Sequence, residues 1–242
     1  HVERLNLRED GSAYMTAYIQ GISPEILTSN RRPAVVVCPG GGYEFCSDRE
    51  AEPVALAYLA KGFQTFVVRY SIAEHSAYPN ALVDLSEAMK LIREHAEAWH
   101  IIPDQIAVCG FSAGGHLCSA LGTLWNDPEI AEKSNCRSGE NQPNAMVLVY
   151  PVITMKEYTH GGSREALLRT HPAEERNALI QKLSTECHVG PHTPPAFICH
   201  TFMDDCVPVE NSLLFAKAMA AQNRVFEMHI FSKGHHGMSL SD

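Results

Sequence analysis

The chain is 242 residues long, enough for one domain with a sizeable core, and its 45% hydrophobic and 19% charged residues are ordinary for a globular protein. A formal net charge of −9 argues against a polyanionic partner such as nucleic acid, and no run nears the ~18 apolar residues that a membrane span needs. The eight cysteines include no C-x-x-C pair and the thirteen histidines no H-E-x-x-H, so neither a zinc ribbon nor a zinc-peptidase site is expected.

The first twenty residues alternate apolar and polar positions around the turn signal "EDGS" and predict an antiparallel strand pair. A turn-rich connection, "SPEILTSNRRP" (23–33), leads to "AVVVC" (34–38), whose unbroken apolar run predicts a strand buried on both faces. A helix over 50–61 and a strand over 63–70 follow. From Pro79 onward Leu82, Leu85, Met89, Ile92, Ala96 and Trp99 recur at steps of three and four, with Glu87, Lys90, Glu94 and Glu97 opposite them, which predicts one long amphipathic helix. Strands are then expected over 105–110, 145–150, 195–200 and 224–231, with a helix from Ser112 to about Trp125 and a helical end near Ala221. This alternation predicts an α/β fold: a mostly parallel central sheet with helices on both faces and the antiparallel pair at one edge. One domain is expected over 1–242. Within it, 151–194 reads either as a small lid or as a crossover enlarged by a helix with "HGGS" at its head.

In such sheets ligands bind beyond the carboxyl ends of the strands. Four strands are followed there by "PGGGY" (39–43), "FSAGGH" (111–116), "TFMDDCVP" (201–208) and "SKGHHG" (232–237). The stretch "GFSAG" fits G-x-S-x-G, a sharp strand-to-helix turn with serine at its apex. The pattern alone arises by chance in roughly one chain of this length in ten, so its place between an apolar strand and a helix is what makes it informative. A serine hydroxyl needs a base to take its proton, and the base needs an orienting acid. Ser112, Asp204 and His236 occur in the chain order of α/β-hydrolases. The pattern D-x-x-V-P favours Asp204 over the adjacent Asp205, and G-x-H-G favours His236 over His235. For the developing oxyanion, the N–H groups of Gly41, Gly42 and Ala113 are the expected donors. No G-x-G-x-x-G is present, so a nicotinamide cofactor is not expected. Cys38, Cys109 and Cys199 lie in apolar runs as small hydrophobes, which favours a reducing cytoplasm. The chain opens on His1, and a cleaved signal peptide upstream of it would leave no trace.

The ordered set "CPGGGY", "GFSAGGH", "YPVITM", "TPPAFICHT", "DDCVPVENS" and "KGHHG" resembles the α/β-hydrolase esterases related to acetyl-xylan esterases and other small carbohydrate-ester deacetylases, from about Pro33 to Leu240. The resemblance implies that Ser112 is the nucleophile, Asp204 the acid and His236 the base. It also implies removal of short acyl groups, acetyl above all, from xylo-oligosaccharides or other sugar esters through an acyl-enzyme. The partner would be a small-molecule ester, with no metal, cofactor or membrane involved. Pro39 departs from the related H-G-G-G esterases, which carry histidine there. Two alternatives share the fold: a prolyl-oligopeptidase-like serine peptidase, and a non-catalytic binding protein.

Overall fold

The computed structural model describes residues 1–25, 30–137 and 139–240. The connection 23–33 therefore runs through residues 26–29, which lie outside the described residues. Strands β1 (Val2–Asn6) and β2 (Tyr14–Tyr18) pair antiparallel, as the alternation predicts. They are followed by β3 (Arg32–Cys38), β4 (Gln64–Arg69), β5 (Ile101–Phe111), β6 (Ala145–Val149), β7 (Ala196–Thr201) and β8 (Phe226–Phe231). The helices are α1 (Glu52–Ala60), α2 (Asn80–Glu94), α3 (Ala113–Leu124), α4 (Pro128–Lys133), α5 (Gly161–Leu168), α6 (Ala173–Leu183) and α7 (Glu210–Ala221). Among the described residues, the eight strands form one sheet in the order β1-β2-β4-β3-β5-β6-β7-β8. From β4 to β8 every neighbouring pair is parallel, and the antiparallel β1 and β2 sit at the edge. No helix among the described residues is long and apolar enough to cross a membrane.

The unbroken apolar run of β3 is explained by cover on both sides. Ala34, Val36 and Cys38 join a core with residues of α2 and α3, whereas Val35 and Val37 join a second core with Val54 and Ala55 of α1. Cover by α1 does not reach the far edge, where Phe197 and Phe231 are exposed.

The main departures from expectation are two boundaries and one helix. The strand expected over 105–110 begins at Ile101, because Ile101 pairs with Arg32 before the register shifts and Ile106 pairs with Ala34. Pro103 and Asp104 are exposed within that irregular stretch. The long helix stops at Glu94, yet Ala96 and Trp99 stay buried as the chain turns back through His100 at φ 55°. Helix α4 was not foreseen. Its signals are Asp127, whose side chain accepts the N–H of Glu129 and Ile130, and Pro128 at the first helical position.

What positions the site is the crossing of β3, β5 and α3. A Cβ on Gly110 would land on the carbonyl of Gly114, and one on Gly114 would land on the carbonyl oxygen of Cys38. Both obstacles are backbone, so neither gives way cheaply. Gly114→Ala is expected to cost about 2–3 kcal/mol of stability by overpacking. Gly161→Ala, whose added methyl meets nothing within 4 Å, should cost nothing. Urea denaturation of the two variants checks the difference.

Candidate active site

Ser112 occupies the turn between β5 and α3 at φ 54° and ψ −119°, a left-handed conformation that a residue with a side chain adopts at a cost of about 1–3 kcal/mol. Backbone hydrogen bonds hold it there. Its N–H donates to the Val149 carbonyl at 3.1 Å, and its carbonyl accepts the N–H of His116 and Val152 at 3.1 and 3.0 Å. The turn leaves Ala113 as the first residue of α3, where an N–H has no acceptor within the helix.

The chain leaving β7 turns sharply at Asp204. Its Oδ1 accepts the N–H groups of Cys206 and Val207 at 2.9 and 2.8 Å. Its Oδ2 accepts Nδ1–H of His236 at 2.7 Å and lies 3.3 Å from Nε2 of the buried His200. Burial alone would raise the pKa of this carboxyl. The hydrogen bonds from His200, His236 and the two backbone groups outweigh that and hold it well below the usual carboxylate range. His236 reaches forward to Ser112, with Nε2 2.8 Å from Oγ. Asp205 and His235 stand aside: Asp205 accepts the backbone N–H of His236 at 3.1 Å, and the exposed His235 bonds the His236 carbonyl. The structure thus brings Ser112, Asp204 and His236 into one hydrogen-bonded chain.

The glycine loop after β3 closes the other side. Gly41 and Gly42 line a cavity of about 350 Å³ together with Ser112, His236 and His160. The loop is anchored by Glu50, which is buried. Its Oε2 accepts the Gly40 N–H and its Oε1 the Tyr150 hydroxyl, both at 2.8 Å. The Tyr150 oxygen accepts the Ser239 N–H at 2.8 Å, and its ring meets the His236 ring edge-on at 4.9 Å between centroids. One buried carboxyl therefore ties the glycine loop to the loop that carries His236. Tyr43, at the end of "PGGGY", donates its hydroxyl to Nδ1 of His116 at 2.8 Å, while His116 Nε2–H donates to the Leu183 carbonyl at 2.7 Å. Burial pushes the His116 pKa down to about 4.

Sequence reasoning missed these supports. Glu50 reads as a solvated residue at a helix start, and Tyr150 as the end of a strand. His116 and His200 read as isolated histidines, since no spacing rule links them to Tyr43 or Asp204. His160 stood in the "HGGS" segment, but nothing local points it at Ser112. Among the described residues, no group of three or more His, Cys, Asp and Glu side chains is placed to hold a metal ion.

The model of the family described as BD-FAE matches residues 23–219, most of the chain. The chain belongs to the BD-FAE family. Among the BD-FAE chain's relatives, endo-1,4-beta-xylanase B of Butyrivibrio fibrisolvens is 35% identical over 88% of this chain. The acetylxylan esterase of Xylanibacter ruminicola is 32% identical over 98% of it. This chain spans only 33% and 46% of the length of those two relatives. A solved structure, the acetyl ester-xyloside bifunctional hydrolase from Caldicellulosiruptor lactoaceticus, superposes with a TM-score of 0.84 at 35% identity, covering 99% of this chain and 89% of that one. The sheet and its helices are those of the α/β-hydrolase fold.

Two consequences are measurable. Tyr150→Phe leaves Glu50 Oε1 and the Ser239 N–H without their shared partner, and should lower stability by about 1–3 kcal/mol in urea titrations. His116 is folded in its neutral form with its pKa depressed from 6.5 to about 4, so below pH 6.5 the unfolded chain takes up the proton first. Its contribution should therefore fall away as pH drops through that window, by roughly 3 kcal/mol at the bottom. The urea midpoint of His116→Gln should depend less steeply on pH between 6.5 and 4 than that of the native chain. Equal slopes would assign the effect elsewhere.

Proposed function

We propose that this BD-FAE chain is a serine carboxylic-ester hydrolase that removes acetyl and other short acyl groups from sugar esters such as acetylated xylo-oligosaccharides. The observation that carries the proposal is the contact of His236 with both partners, Nε2 at 2.8 Å from Ser112 Oγ and Nδ1 at 2.7 Å from Asp204 Oδ2. Relatives named as an acetylxylan esterase and an acetyl ester-xyloside hydrolase support the acyl and alcohol parts.

The ionised Asp204 keeps the His236 proton on Nδ1, which leaves Nε2 free to accept the Ser112 proton. Ser112 Oγ then attacks the acyl carbon. The tetrahedral oxyanion is met by the N–H groups of Gly41, Gly42 and Ala113, fixed donors that need no reorganisation as charge develops. His236 returns the proton to the departing alcohol oxygen, leaving Ser112 acylated. A water activated by the same Nε2 attacks the acyl-enzyme and releases the acid. A cytoplasmic setting is proposed with this function, supported by the use of Cys38, Cys109 and Cys118 as buried thiols within the core.

The test is a series of p-nitrophenyl esters from acetate to octanoate, run on the native chain and on Ser112→Ala. The native chain should prefer acetate, and Ser112→Ala should lose at least about a thousandfold in kcat/KM. Full activity in the variant would remove Ser112 as nucleophile, and a preference for octanoate would remove the short-acyl assignment.

A further inference from the structure

His160 stands at the head of α5, where the segment leaving β6 reaches the cavity. That approach is fixed by the buried Asn211, whose Oδ1 accepts the N–H groups of Ile153 and Thr154 at 2.9 and 3.1 Å and whose Nδ2 donates to the Tyr158 carbonyl at 2.8 Å. His160 then caps α5: its Nδ1 accepts the Ser163 N–H at 3.2 Å and lies 2.8 Å from the Ser163 hydroxyl. A ring nitrogen that accepts a backbone N–H carries no proton, so the neutral ring bears its proton on Nε2. Burial lowers the pKa of the ring, His236 lowers it further and Asp204 opposes them, with the neutral form favoured overall. The Nε2–H has no acceptor among the described residues, although the ring walls the cavity beside Ser112 and His236. Its Cε1 lies 3.5 Å from where a Cβ on Gly42 would stand, which puts the ring directly against the glycine loop.

An acetyl group carries one polar atom, its carbonyl oxygen, and that atom already has three backbone donors in the mechanism above. A further donor in the same cavity has no partner on the acyl side. Beyond the bridging ester oxygen, which takes its proton from His236, simple alkyl and aryl groups present no hydroxyl beside the ester, whereas a sugar presents hydroxyls next to the acylated oxygen. Given the serine-esterase function proposed above, we propose that His160 Nε2–H donates to a sugar hydroxyl beside the scissile ester and so favours carbohydrate esters over simple alkyl and aryl esters.

The test uses two substrates, p-nitrophenyl acetate and acetylated xylobiose, and the ratio of their kcat/KM values, in which the amount of folded enzyme cancels. His160→Asn keeps an acceptor where Nδ1 caps α5 but places no donor at Nε2. His160→Gln extends an amide N–H to the position of Nε2. For His160→Asn, kcat/KM on acetylated xylobiose should fall about tenfold, chiefly through KM, against about two- to threefold on p-nitrophenyl acetate. His160→Gln should restore most of the lost ratio. Equal losses on both esters would make His160 a contact of the ester carbonyl or a purely structural cap, and either result overturns the proposal, as does an unchanged ratio. Ser112→Ala in the same assay separates the two failures. Turnover retained by that variant would sink the serine mechanism itself, whereas an inactive Ser112→Ala with an unchanged His160→Asn ratio sinks the role of His160 alone.

Discussion

Everything in the cavity depends on one backbone constraint, the left-handed turn at Ser112. The turn costs free energy locally, and it persists because β5 enters α3 with no side chains at Gly110 and Gly114, so the helix seats against the carbonyls that end β3. The close seating has two chemical results. The serine side chain is held at the apex, within reach of His236, and the first N–H of α3 is left without an internal acceptor beside it. A looser turn would relax the backbone and lose both.

The remaining groups arrive from strands that are far apart. The glycine loop follows β3 and the His236 loop follows β8, four strand steps away in the sheet, or about 19 Å at the usual spacing. Loops meeting over that distance need a tie, and Glu50 with Tyr150 supplies it, joining Gly40 at one end to Ser239 at the other. A second tie runs through His116, which joins Tyr43 of the glycine loop to Leu183 at the end of α6. Both are buried polar networks whose members are mutually satisfied, the condition under which such networks rigidify a site instead of weakening it. Asp204 is treated in the same way. It accepts bonds from two backbone groups and from His236, with Nε2 of the buried His200 3.3 Å away, so its position is set independently of anything bound in the cavity.

Much of this was legible because the signals are local. The β-branched run of β3, the period of α2 and the glycines around Ser112 each reflect a constraint that acts within a few residues. The boundaries that moved were those where tertiary packing overrides local preference. The strand expected from Gln105 starts instead at Ile101, through an irregular stretch, because Ile101 finds a partner on β3. The apolar face that runs to Trp99 outlasts the helix that carries it, since a buried side chain does not require helical backbone.

The sequence by itself determined the strand order of the chemistry: a serine, an acid and a histidine, each at a strand end, with a glycine loop before them. Turn geometry and hydrophobic period are written in neighbouring residues, so they can be read without coordinates. Only the tertiary structure decided that Asp204 and not Asp205 meets the imidazole, that Glu50 and Tyr150 bind two loops together, and that His160 walls the cavity with an uncommitted N–H. Those contacts join residues 32 and 100 positions apart, or place a side chain by the packing of a distant helix. Separation of that kind leaves no periodic trace, because the residues become neighbours only when the sheet closes beneath them.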